Sequence, residues 1–278
     1  MATYKASKIQ YNMDCIIASK QRVEIPNKFG EKLVGVLHLT GSKNLVIICH
    51  GFRSTKDETT IVNLIGTLTR EGVGVFHFDF AGNGESEGVF QYGNYRREVD
   101  DLHAVVLYLS KKGFRTGAII GHSKGGNVVV LYASTYDVPV VINLSGRFAL
   151  ERGIEGRLGK DFLQRIKNDG FINVKDKKGN VEYRVTEESL MDRLSTDMRV
   201  ACHAIGNECR VLTIHGSEDE IVPSEDAHEF DKNIANHKLL IIEGANHCYT
   251  AHQTLLASSV LDFLKAAQVV DATATKAV

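Results

Sequence analysis

Residues 118–126 read Ala118-Ile119-Ile120-Gly121-His122-Ser123-Lys124-Gly125-Gly126. Apolar or small residues run straight into Gly-x-Ser-x-Gly, and a run of helical character, residues 127–133, follows. The order is strand, sharp turn, helix, with a serine at the apex. Serine is a weak nucleophile near neutral pH, so a fold that uses it must lift it clear of its strand to meet a base. Gly121 and Gly125 stand two residues either side of Ser123, where a side chain would collide as strand and helix close up. What remains is whether the chain supplies an acid, a histidine and an oxyanion hole in the right order.

Upstream, residues 21–26 alternate polar and apolar, as a half-wetted strand does, and residues 32–39 read as the hairpin partner. Residues 45–49 are continuously apolar, which predicts a strand covered on both faces of a parallel sheet. They end in His50-Gly51-Phe52. Residues 60–70 place Ile61, Leu64, Ile65 and Leu68 on one helical face. Residues 73–78 form a second buried strand, closed by the glycine-rich loop 79–86. Residues 94–112 predict a long helix with Gly113 as its C-cap. Downstream, residues 138–144, 210–215 and 238–243 read as strands and residues 250–267 as a last amphipathic helix.

Buried strands alternating with helices predict an α/β fold with a mostly parallel central sheet and helices on both faces. Sites in such sheets lie beyond the carboxyl ends of the strands. His50-Gly51-Phe52, Asp79, Ser123, Ser145, Asp219 and His247 all stand just past a predicted strand. One segment, 147–203, breaks the rhythm. Within it residues 171–174 and 181–185 read as a β-hairpin with Gly179-Asn180 in its turn, flanked by helices over 157–168 and 187–192. The expected organisation is a core of residues 20–146 and 204–268, an inserted cap over 147–203, and loose termini at 1–19 and 269–278.

The bulk properties exclude several classes. Lysine and arginine number 33 against 34 acidic residues, so no strong field favours nucleic acid or an anionic membrane. No apolar run is long enough to span a bilayer, and the first twenty residues lack the apolar core of a signal peptide. The five cysteines, Cys15, Cys49, Cys202, Cys209 and Cys248, are odd in number and form no CxxC pair, so reduced thiols in a cytoplasmic protein are expected. No HExxH or other ligand spacing appears among the histidines, and Gly82-Asn83-Gly84 lacks the rest of a dinucleotide fingerprint.

The constellation runs in the order serine, acid, histidine. Ser123 comes first, then Glu218-Asp219-Glu220 after one strand, then His247 after another. The patterns His-Gly-Phe at 50–52, Asp-x-x-Gly-x-Gly-x-Ser at 79–86, Gly-His-Ser-x-Gly-Gly at 121–126, His-Gly-x-x-Asp-x-x-Val-Pro at 215–223 and Gly-x-x-His at 244–247 resemble the α/β-hydrolase superfamily over nearly the whole chain. More narrowly the chain is similar to the small capped carboxylesterases of the cinnamoyl/feruloyl-esterase type. That resemblance implies an α/β-hydrolase fold with a hairpin-containing cap, and its spacing picks Asp219 over Glu218 and Glu220. Lys124 departs from the pattern, since such enzymes often carry Met or Gln after the serine.

The chemistry then gives each position a role. Ser123 attacks an acyl carbonyl, His247 takes and returns its proton, and Asp219 orients the imidazole. The backbone N–H groups of Phe52 and Lys124 are the expected oxyanion donors. The triad makes its own nucleophile, so neither cofactor nor metal is expected. His122, Phe148, Phe162, Phe171 and Met191 are the expected substrate-binding residues, suited to a hydrophobic or aromatic acyl or alcohol group. The expected partner is a small-molecule ester, with no nucleic acid. The oligomeric state is open. Acyl transfer from the same intermediate, a hydrolase-like small-molecule receptor and, further off, a peptidase with an acidic anchor in its cap are the competing readings.

Overall fold

Leu45, Ile47 and Cys49 pack to one side of their strand while Val46 and Ile48 pack to the other, and this alternation sets the architecture. The computed structural model describes residues 19–270. The chain opens with β1 (Ser19–Pro26), β2 (Lys32–Leu39), β3 (Asn44–Cys49), α1 (Thr59–Arg70) and β4 (Gly74–Phe78). Then come α2 (Tyr95–Lys111), β5 (Arg115–His122), α3 (Lys124–Ala133) and β6 (Val140–Leu144). The insertion holds α4 (Glu155–Leu158), α5 (Phe162–Asp169), β7 (Phe171–Lys175), β8 (Val181–Thr186), α6 (Glu187–Ser195) and α7 (Met198–Ala204). The chain closes with β9 (Arg210–Gly216), α8 (Glu225–Asn233), β10 (His237–Ile242) and α9 (Gln253–Ala266).

Eight strands form one sheet in the order β1-β2-β4-β3-β5-β6-β9-β10. The first two pairings, β1 with β2 and β2 with β4, are antiparallel; the rest are parallel. The mostly parallel sheet follows from the unbroken apolar strands, whose two faces both need cover. One face carries Val99, Leu102 and Val105 of α2, Val128 and Val129 of α3, and Phe230 of α8. The other carries Ile61, Leu64 and Leu68 of α1 with Leu256, Val260 and Leu264 of α9. At about 25 cal/mol per Å2 of apolar surface removed from water, this two-sided burial is the main favourable contribution to folding.

The insertion has a core of its own. Ile154, Leu158, Phe162, Ile166, Ile172, Val185 and Leu190 pack together around the separate β7–β8 hairpin. Its helices differ from expectation. The helix expected over 157–168 is broken into α4 and α5, because Gly159 (φ +88°) takes a backbone conformation that other residues rarely adopt. α7 was not legible as a helix, being only seven residues long, and Asp197 caps it by accepting from the N–H groups of Arg199 and Val200. Met198 and Cys202 of α7 join the core beside the sheet, so this end of the 147–203 segment packs with α3 and not with the hairpin.

The termini expected to be loose lie largely outside the described residues. Of those described, Ser19 already starts β1 and Val269 is buried against the second face of the sheet. The four described cysteines are all free; Cys49, Cys202 and Cys209 are buried and Cys248 is exposed, and Cys15 falls outside the described residues. Among the described residues no helix is long and apolar enough to cross a membrane.

Candidate active site

The turn from β5 to α3 is as crowded as its glycines imply. A Cβ on Gly121 would run into the Gly125 carbonyl, and one on Gly125 would lie 2.5 Å from the His50 carbonyl oxygen and 2.6 Å from that of Cys49. Ser123, between them, has φ +55° and ψ −118°. That conformation is disfavoured for an L-residue and costs on the order of 1–3 kcal/mol. It presents the serine hydroxyl at the N-terminus of α3, where the helix dipole favours negative charge.

Two loops, each leaving the carboxyl end of a strand, bring their side chains to this hydroxyl. His247 Nε2, after β10, lies 2.9 Å from Ser123 Oγ. Its Nδ1 lies 2.7 Å from Asp219 Oδ2, after β9. The Asp219 side chain is fully buried, and its Oδ1 accepts from the N–H groups of Ile221 (2.9 Å) and Val222 (2.7 Å). His215 Nε2 approaches Oδ2 at 3.2 Å. Burial alone would raise this carboxyl, but the hydrogen bonds from His215, His247 and the Val222 N–H outweigh it and hold Asp219 well below the usual carboxylate range. Asp219 is therefore ionised, as a partner for an imidazolium must be. Its sequence neighbours are placed elsewhere: Glu220 accepts from the His247 N–H at 3.2 Å, and Glu218 is exposed.

Phe52 and Lys124 flank the serine. Lys124 is the first residue of α3, so its N–H has no acceptor within the helix. Its ammonium does not enter the site: it turns back to α2, 2.6 Å from Glu98 Oε1 and over the Tyr95 ring. His50 ties the strand-end loops together, with Nδ1 2.8 Å from the Gly51 carbonyl and Nε2 accepting from the Phe80 N–H at 3.0 Å. Asp79 anchors its own glycine loop, accepting from Lys56 Nζ (2.9 Å) and the Glu85 N–H (2.9 Å).

None of the residues expected to bind substrate lines the cavity at Ser123. His122 is buried behind His247, with Nε2 3.0 Å from the His247 carbonyl and Nδ1 2.6 Å from Glu58 Oε1. Against the effect of burial, this pairing raises the imidazole and lowers Glu58 to about 2. Cys248 adjoins the pair, and the three together are the one grouping of potential metal ligands among the described residues. Phe162 is consumed by the core of the insertion, and Phe148 packs edge-on against Phe230. Phe171 lies under Arg184 and Met191 is exposed to solvent. Of these, only Phe162 is spent on the insertion's own core.

The cavity at Ser123 measures about 50 Å3 and is lined by Phe52, Tyr95, Arg147, Arg157 and Arg193. A larger groove of about 570 Å3, between loop 82–91 and β8, does not reach the serine. Arg147 follows β6, and its guanidinium donates to the Ile221 carbonyl. Arg193 of α6 is buried, donating from Nε to the Leu150 carbonyl (2.8 Å) and from Nη2 to the Arg152 carbonyl (2.9 Å). Arg157 of α4 stacks over the Phe52 ring, 4.7 Å from its centroid. Their convergence escaped the sequence because they share no motif. The one available signal was Arg147, standing three residues beyond a strand end.

The sequence profile of the family described as "Serine aminopeptidase, S33" matches residues 40–199. Among solved structures, Est1E from Butyrivibrio proteoclasticus with ferulic acid bound is 28% identical, with a TM-score of 0.76 over 87% of this chain and 97% of that one. The esterase Pf2001 of Pyrococcus furiosus is 22% identical with a TM-score of 0.70, covering 92% of this chain and 95% of its own; at that identity it bears on the fold alone. Protein phosphatase methylesterase 1 of Candida albicans is 28% identical over 119 residues, 42% of this chain and 32% of that protein. The chain thus spans about a third of the length of that curated relative.

Proposed function

The chain belongs to the serine aminopeptidase S33 family of α/β-hydrolases, and from that premise we propose that it hydrolyses carboxylic esters through an acyl-enzyme on Ser123. The observation that carries this reading is the continuous relay from Ser123 Oγ to His247 Nε2 (2.9 Å) and from His247 Nδ1 to Asp219 Oδ2 (2.7 Å). Serine Oγ adds to the ester carbonyl as its proton passes to His247, and the carbonyl electron pair moves to oxygen. The N–H groups of Phe52 and Lys124 stabilise that oxyanion, with help from the α3 dipole. The bond to the alcohol oxygen then breaks, and the alcohol leaves with the proton held by His247. Water repeats the sequence, releasing the acid and restoring the serine hydroxyl. The segment over 147–203 acts as the cap that closes the cavity.

Ester chemistry is favoured over peptide chemistry by the walls of the cavity. An aminopeptidase needs an acidic anchor for the substrate's α-ammonium. Among the described residues no carboxylate lines this cavity, and three arginines do. One relative is itself an esterase by name, the protein phosphatase methylesterase. The cavity sets Phe52, Tyr95, Ile221 and Val222 beside the three arginines, which leaves room for the expected hydrophobic or aromatic preference, and its small volume favours small acyl groups. Its test is Ser123→Ala with simple acyl esters and a fluorophosphonate probe. The variant should lose labelling and turnover, the latter by on the order of a millionfold; undiminished turnover would overturn the reading.

A further inference from the structure

Arg147, Arg157 and Arg193 reach the same small cavity as Ser123 from three different elements: the loop after β6, α4 and α6. None of the three lies within 4.0 Å of a carboxylate among the described residues. Their acceptors are neutral. Arg193 is buried on two backbone carbonyls and against the Tyr92 ring, and Arg147 donates to the Ile221 carbonyl. Arg157 has only its stack on Phe52. The one nearby ammonium, on Lys124, is by contrast matched with Glu98. Burial and the nearby charge of Arg193 both push the Arg147 guanidinium down, the mark of like charges held together. The backbone is shaped around this arrangement. Gly153 (φ +74°) lies against the Arg147 guanidinium, and a Cβ there would stand 3.3–3.5 Å from its three outer atoms.

Three guanidinium groups without a carboxylate partner converge on one small cavity, Arg193 buried, Arg147 half-buried and Arg157 exposed, and an anion placed among them relieves their mutual repulsion. Guanidinium presents a planar fork that fits two oxygens of a carboxylate or phosphate. The geometry points to a substrate whose acyl half ends in an anionic oxygen group, a carboxylate: a monoester of a short dicarboxylic acid, with Ser123 attacking the ester end while the arginines hold the free end. The cavity, about 50 Å3, falls well below the several hundred Å3 of most ligand pockets, which restricts the acyl half to a short chain. This inference rests on the esterase reading, and its test separates the two.

Wild-type protein is assayed on monomethyl succinate, glutarate and adipate and on the corresponding dimethyl esters, by methanol release. The expected result is a kcat/KM preference for a monoester on the order of ten- to a hundredfold, carried in KM and reduced by salt. Arg157→Gln should cut the monoester-to-diester ratio about tenfold, and Arg157→Lys should restore much of it. Arg157 is exposed and makes no ion pair among the described residues, so its replacement does not threaten folding. Equal or faster turnover of the dimethyl esters overturns the inference and leaves the esterase reading intact. So does an equal fall in kcat for charged and neutral esters, which would place Arg157 in transition-state stabilisation. Should no methyl ester turn over, calorimetric titration of Ser123→Ala with glutarate and with inorganic phosphate decides the matter alone. Millimolar glutarate binding that disappears in Ser123→Ala/Arg157→Gln supports the inference. Binding of phosphate without glutarate, or of neither, overturns it.

Discussion

Glu98 and Lys124 show how one departure from a family pattern is absorbed. Lys124 follows Ser123, and its ammonium is taken out of the cavity by a carboxylate on α2, 2.6 Å away. Burial pushes the Glu98 carboxyl up to about 7 despite that partner. Its folded value thus lies above its unfolded one, so the folded state holds a proton that the unfolded chain releases between about pH 4.5 and 7. The contribution of Glu98 to stability is then greatest below that window and declines as pH rises through it. Glu98→Gln should remove the decline. Melting temperatures of the two proteins, measured side by side from about pH 5 to 8, should converge or cross, with a differential on the order of a few kcal/mol; parallel curves would contradict the assignment. The serine, acid and histidine were legible in the sequence because each stands just past an apolar strand. The Glu98 partnership was not, because nothing in residues 94–112 distinguishes a carboxylate that faces α3 from one that faces water. Nor were Arg147, Arg157 and Arg193, whose meeting depends on how the insertion folds back. Apolar side chains there, such as Phe162, invited reading as pocket lining when the small segment needed them for its own core.

At the scale of elements, the contact that fixes the insertion over the sheet is between α6 and the start of α2. Asp192 of α6 accepts from the Tyr95 N–H at 2.8 Å, placing a carboxylate at the positive end of α2. Gly93, just before, lets the two backbones meet: a Cβ there would collide with the Ser189 carbonyl and stand 3.2 Å from the Arg193 nitrogen. Both obstacles are backbone, so neither can rotate aside. Gly93→Ala should destabilise by about 1–3 kcal/mol, read as a lower melting temperature. Because the displaced helix carries Arg193, amide exchange should also quicken across α6 while the β3, β5 and β6 amides stay protected. A neutral substitution would mean that α6 is not seated there. Most strands were legible to within one or two residues, the inner ones from unbroken apolar runs, although β5 begins at Arg115, ahead of its apolar run. The short helices α7 and α8 were not, because seven to nine residues give too few turns for a period to show.

In the whole molecule, the proposed reacting groups and two of the three arginines belong to different bodies. Ser123, Asp219 and His247 stand on loops of the eight-stranded sheet, whereas Arg157 and Arg193 stand on helices of the insertion. The tip of the insertion's hairpin carries exposed Lys177 and Lys178 on a turn held by Asp176. Brief trypsin treatment should cut there first. The nicked protein should keep its fluorophosphonate labelling at Ser123, as followed by gel and mass spectrometry; loss of labelling on nicking would show that the two bodies depend on each other. The division has a consequence for anyone redesigning the protein. Under the proposed roles, reaction type and most of the choice of acid are written in separate stretches of sequence, so a library confined to 150–195, with Arg147 kept, can search new acyl tails while Ser123, Asp219 and His247 stay untouched.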